Sequence, residues 1–129
     1  MIRIGILGDI GSGKSYVAKE FGYPVFNADI EVLKWGETPE FNIIINATTL
    51  GLKKTDEIKL DYAAIGTNKL FYDVIYNPNQ TNFLMTGKKL GNKTENGKLM
   101  FIYQAFLAFN LWHGVQPRID DDVIKLLDQ

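Results

Sequence analysis

The sequence predicts a single α/β domain of three layers, a doubly wound parallel sheet with helices on both faces. Three observations predict it. Short apolar runs alternate with helical patterns along the whole chain. Two of those runs are continuous in Ile, Val, Phe and Tyr, as strands covered on both faces are. The chain has 129 residues, 46% apolar and 22% charged, which suits one domain around one core.

The elements follow in order. Ile2 to Leu7 is an apolar run ending at Gly8, and Lys14 to Phe21 is a helix after a glycine-rich loop. Tyr23 to Phe26 is a second strand, and Ile30 to Trp35 a helix behind Asp29. A polar joint, Gly36-Glu37-Thr38-Pro39-Glu40, is too short to separate two cores and reads as a seam within one sheet. Asn42 to Asn46 and Leu70 to Tyr76 are the third and fourth strands, with a brief helical turn at Asp61 to Ile65 between them. A helix over Thr81 to Leu90 follows Asn77-Pro78, and Lys93 to Glu95 is a short fifth strand. Gly97 to His113 is the longest helix, and Asp120 to Leu127 closes the chain with Asp120 as its N-cap.

Composition removes several function classes. Fourteen Lys and Arg against fifteen Asp and Glu give a net charge of −1, without the basic surplus of a nucleic-acid binder. With no cysteine there is neither a disulfide nor a thiolate, and His113 is the only histidine. No apolar run is long enough for a membrane span, and the N-terminus lacks a signal-peptide pattern. The expectation is a small, soluble, cytoplasmic protein that contacts neither membrane nor nucleic acid.

Gly8-Asp9-Ile10-Gly11-Ser12-Gly13-Lys14-Ser15 satisfies GxxxxGK[ST], the phosphate-loop pattern. Small glycines let successive backbone N–H groups curl around phosphate oxygens, and the following helix adds the positive end of its dipole. Lys14 would set an ammonium against the terminal phosphates and Ser15 a hydroxyl on Mg²⁺, which points to a phosphate-bearing nucleotide, with ATP–Mg²⁺ one candidate and the pattern weak on which nucleotide it is. The alternative is a glycine turn that binds nothing.

Residues 1–36, through GILGDIGSGKSYVAKEFGYPVFNADIEVL, resemble the start of dephospho-CoA kinase, an ATP-dependent enzyme that phosphorylates a ribose hydroxyl. Asp9 stands where that family usually has a second glycine. The resemblance implies that Lys14 and Asp29 are catalytic, Asp29 as base near the acceptor hydroxyl. Asp29 serves equally as a cap for the helix that begins at Ile30.

Residues 41–129 resemble the C-terminal part of shikimate dehydrogenase, an NADP-dependent oxidoreductase, through FNIIINATTLGL, FYDVIYNPNQTNFL and NGKLMFIYQAFLAFNLWHGVQP. This implies that Asn46, Ala47, Thr48 and Thr49 lie beside the nicotinamide half of NADP, with Gly97 and Met100 at cofactor-contacting positions. It also implies that Tyr76 and Gln104 meet the substrate. Without their reaction partners, Tyr76 reads rather as the cap of a core strand and Gln104 as a satisfied polar group under a helix. The family's substrate domain and its dinucleotide fingerprint have no counterpart here, so the implied active site is incomplete.

Joined, the two segments give a Rossmann- or flavodoxin-like sheet of about five strands in the order 2-1-3-4-5, with a crevice at its switch point. Gly8–Ser15 and Asn46–Thr49 would face each other across it. In the long helix, Lys98, Gln104, Asn110 and His113 scatter around the wheel, and Phe101, Phe106, Phe109 and Trp112 cannot all face one small sheet. A homodimer through Gly97–His113 is expected. The function expected is a phosphate- or nucleotide-binding α/β domain, a fusion of two pieces without a complete active site. The alternatives are an NADP-dependent shikimate dehydrogenase-type oxidoreductase fragment and an ATP-dependent dephospho-CoA kinase-type phosphotransferase.

Overall fold

Four short strands pair side by side and in parallel, in chain order, in the computed structural model, which describes residues 3–7 and 37–128. They are β1 (Ile4–Leu7), β2 (Ile43–Asn46), β3 (Leu70–Asp73) and β4 (Lys93–Glu95). Ile4 pairs with Ile43 and Ile43 with Leu70, and Leu70 pairs with Lys93. The observed order is that of the first, third, fourth and fifth strands expected from the sequence. The expected strand at Tyr23–Phe26 and the helices at Lys14–Phe21 and Ile30–Trp35 lie outside the described residues.

Alternation along the strands sets the core. In β2 and β3 every second residue is buried: Ile44 and Asn46, then Phe71 and Asp73. The β-branched triplet of β2 suits a pleated surface. Ile44 and Phe71 face a cluster of Phe41, Ile58, Ile65, Phe83 and Leu84. The Phe71 ring sits at its centre, 5.0 Å from the Phe83 ring and 6.4 Å from that of Tyr62. On the opposite face Ile43, Ile45, Leu70 and Tyr72 are half-buried. Full cover of both faces was expected; among the described residues one face is closed and the other is partly open.

Short helices close the first face. α1 (Tyr62–Ile65) is capped by Asp61, whose carboxylate accepts from the Ala64 N–H. α2 (Asn82–Lys89) is capped by Thr81, whose hydroxyl accepts from the Leu84 N–H, one of the donors a helix start leaves unpaired. α2 packs unusually close, because Gly87 meets Phe71: a Cβ there would lie 2.6 Å from the ring. The strand expected to run to Tyr76 stops at Asp73. There the Asp73 carboxylate, held by Asn46 and Thr81, accepts from the Ile75 N–H at 3.0 Å and turns the backbone out of the ladder.

α3 (Lys98–His113) ends at Gly114, which takes the left-handed conformation with φ 65°. Of its residues only Ile102 is buried. Leu99, Phe101, Tyr103, Leu107, Phe109, Leu111 and Trp112 are exposed, Leu111 at 85% and Trp112 at 79%. α4 (Asp121–Lys125) begins at the expected cap, with Asp120 accepting from the Val123 N–H, and runs into a 3₁₀ turn at Leu126–Asp128.

Candidate functional site

Parallel strands bring their carboxyl ends to one edge, and ligands of such sheets sit outside that edge. Here Leu7, Asn46 and Asp73 stand side by side in register, and Tyr72 pairs with Glu95. The segments after β2, β3 and β4 therefore leave the sheet together. They are Ala47–Gly51, Val74–Pro78 and Asn96–Met100, and they contain most of the residues that the second resemblance singled out.

The β2 exit is held by buried hydrogen bonds. Asn46 is fully buried, and its amide is used on both sides. Its Nδ2 donates to the Leu50 carbonyl at 3.0 Å and to Asp73 Oδ1 at 3.1 Å. Its Oδ1 accepts from the Thr48 N–H at 3.0 Å and the Thr48 hydroxyl at 2.7 Å. That exhausts two donors and two lone pairs. Thr48, 6% exposed, also accepts from the Leu50 N–H. Asn46 and Thr48 thus shape the loop from within, while Thr49 is exposed and Ala47 half-buried.

The β3 exit is tied to the same network. Asp73 accepts from Asn46, from the Ile75 N–H and, through Oδ2, from the Thr81 hydroxyl at 2.6 Å. Burial pushes the Asp73 carboxyl above its ordinary range, against the opposing pull of the hydrogen bonds from Thr81, Ile75 and Asn46. Asp73 and Thr81 are not among the residues picked out from the sequence. The available signal was an acidic residue inside the otherwise apolar run FYDVIY.

The β4 exit presses against the β3 exit. The Gly97 N–H donates to the Ile75 carbonyl at 3.2 Å, and a Cβ on Gly97 would lie 2.0 Å from the Val74 carbonyl oxygen. Only a glycine fits there. Tyr76, half-buried, stacks on Phe101 of α3 with ring centroids 4.6 Å apart. Met100 is half-buried. Gln104, exposed, lies three residues after Phe101 and four after Met100, so it neighbours each of them on the helix surface. The exits of β2 and β3 and the start of α3 thus meet at one edge, with Asn46 tied to Asp73, Gly97 to Ile75 and Tyr76 to Phe101.

Gly8, Asp9, Ile10, Gly11, Ser12, Gly13, Lys14, Ser15 and Asp29 lie outside the described residues. β1 leads into the glycine segment from the same edge, beside β2.

Comparison with known proteins does not follow the division into two segments expected from the sequence. A shikimate dehydrogenase (NADP(+)) of Pelagibacter ubique is 57% identical over 100 residues, which cover 78% of this chain and 38% of that protein. Over most of its length this chain is homologous to shikimate dehydrogenase. The homology reaches the first segment too: a shikimate dehydrogenase (NADP(+)) of Caldicellulosiruptor saccharolyticus is 33% identical over 136 residues, covering 100% of this chain and 49% of that protein. Among solved structures, a shikimate dehydrogenase in complex with NADP+ superposes with a TM-score of 0.61 at 38% identity, over 67% of this chain and 30% of that one. The chain thus spans less than half the length of these shikimate dehydrogenases, and its parallel-sheet, Rossmann-like fold matches part of them. No protein-family model matches the chain. The comparisons give no support to a dephospho-CoA kinase segment, to a phosphate loop or to ATP–Mg²⁺ binding.

Proposed function

We propose that this chain forms the nicotinamide-side part of the NADP-binding domain of a shikimate dehydrogenase-type oxidoreductase. The observation that carries this reading is the convergence of three strand exits at one carboxyl edge: Asn46–Thr49, Tyr76 and Gly97–Met100 come from β2, β3 and the start of α3, separated in sequence and adjacent in the fold.

The rim suits a flat heteroaromatic ring. Gly97 lets the start of α3 close against the β3 exit, the Tyr76–Phe101 stack supplies an aromatic wall, and the β2 loop is held rigid from inside. Ala47, Thr49, Gly97 and Met100 would hold the nicotinamide half, and Tyr76 and Gln104 stand nearest to where a substrate meets it. Bound there, NADP supplies the ring carbon that exchanges hydride with the substrate. The chain's own share is orientation: fixed loops set the ring before reaction, which lowers the entropic part of the barrier.

Titration with NADPH, followed by its fluorescence, tests this against the phosphate-loop alternative. Saturable NADPH binding that ATP–Mg²⁺ fails to displace supports the reading. Binding of ATP–Mg²⁺ with no response to NADPH overturns it.

A further inference from the structure

We infer that Asp73 is a positioning residue for the proposed nicotinamide-side loops, fixing through its hydrogen bonds to Asn46, Ile75 and Thr81 both the β2 exit and the approach to Tyr76. The inference rests on the nicotinamide-side reading above and names the group that orders that site.

One carboxylate holds three parts of the edge. Oδ1 receives Asn46 Nδ2 and the Ile75 N–H, and Oδ2 receives the Thr81 hydroxyl. Thr81 is the cap of α2, so Asp73 anchors the loops to a helix as well as to each other. Asn46, Asp73 and Thr81 are at most 1% exposed, so water does not substitute for a missing partner without a change in packing.

The carboxylate of Asp73 accepts at both oxygens. The Leu50 carbonyl only accepts and the Thr48 N–H only donates, so the amide of Asn46 turns its NH₂ toward Leu50 and Asp73 and its oxygen toward Thr48. With that orientation, Asn46 Oδ1 can receive the Thr48 N–H and hydroxyl, and Nδ2 can reach the Leu50 carbonyl. Asp73 thus ties the Asn46 amide, and with it the Ala47–Thr49 segment, to the end of β3. An amide at position 73 has one acceptor oxygen in place of two, so either the Thr81 hydroxyl or the Asn46 and Ile75 donors meet an NH₂ instead of an acceptor. Asp73 touches neither cofactor nor substrate in this scheme and acts through Asn46 and Ile75.

The test uses three proteins: wild type, D73N and N46D. Amide hydrogen exchange without cofactor is read at Ala47–Leu50 and Ile75–Tyr76, with β2 and β3 as internal standard. NADPH affinity is measured below every melting temperature. D73N and N46D are expected to speed exchange in the two loops about tenfold or more, leave the strands protected and weaken NADPH about tenfold. Loop exchange and affinity in D73N equal to wild type would overturn the inference, as would strands that lose protection along with the loops. Wild type that fails to bind NADPH would sink the nicotinamide-side reading instead, and the exchange data would still decide whether Asp73 orders the loops.

Discussion

Replacing Gly97 by alanine isolates the contact on which the rim is built. Its φ of −77° is ordinary, so the alanine backbone is unstrained there. Glycine-to-alanine changes at compatible sites usually stabilise by about 0.4–1 kcal/mol, through loss of unfolded-state freedom. Here the added Cβ would lie 2.0 Å from the Val74 oxygen, 2.5 Å from its carbonyl carbon and 3.0 Å from its Cα. All three are backbone atoms of the β3 exit, so no side chain can swing away. Relief requires α3 to move off β3 by more than about 1 Å, since unbonded heavy atoms settle near 3.5 Å. That movement breaks the 3.2 Å bond from Gly97 to the Ile75 carbonyl. Overpacking costs about 1–3 kcal/mol and the lost hydrogen bond about 1 kcal/mol, against the smaller entropic gain. The net expectation is a loss of about 2–3 kcal/mol, and a melting temperature lower by roughly 8–12 °C at this chain length. Gly5, where a Cβ would meet nothing nearer than 3.8 Å, is the control, and Gly5→Ala should shift melting by under about 2 °C. Calorimetric melting of both variants reads the difference. Gly97→Ala as stable as wild type would refute the close approach of α3 to β3.

Two further outcomes follow from other parts of the molecule. Burial, helped by the negative charges of Glu57 and Asp73, pushes the Tyr62 hydroxyl up to about 12 from its ordinary 10.0. The unfolded chain then gives up this proton at lower pH than the folded one, so the contribution is intact below pH 10.0 and is lost as pH rises toward 12. Melting of wild type should therefore fall more steeply between about pH 10 and 12 than melting of Tyr62→Phe; parallel curves would contradict this. On α3, Leu99, Tyr103, Leu107 and Leu111 recur every four residues and form one exposed apolar ridge. The homodimer expected from the sequence would use it, so wild type should scatter light as a dimer at micromolar concentration and Leu107→Glu as a monomer. A monomeric wild type would remove that expectation.

Much of the fold was legible because its signals are local. The continuous runs at Asn42–Asn46 and Leu70–Tyr76 marked inner strands, the glycine before α3 and the aspartates at 61 and 120 marked helix starts, and the structure places elements at each. Alternation of strand and helix then gave the parallel order. The end of β3 was not legible, because it is decided by where one carboxylate finds donors: Asp73 receives Asn46 from 27 residues earlier and Thr81 from eight residues later. Composition alone does not distinguish such an aspartate from one exposed on a strand. The meeting of Tyr76 with Phe101 and of Gly97 with the β3 exit was likewise invisible to spacing. The glycine segment Gly8–Ser15 shows the opposite hazard. Its pattern is specific for phosphate loops, yet the homology that runs through it is to a dehydrogenase.

The central claim is that the exits of β2, β3 and β4 together receive a nicotinamide. Its most direct measurement is the set of backbone amide NMR shifts as NADP+ is added to the protein. The account predicts saturable shifts at Ala47, Thr48, Thr49, Tyr76, Gly97 and Met100, with α2 and α4 unmoved. Shifts that avoid those six residues, or none at millimolar NADP+, would contradict it.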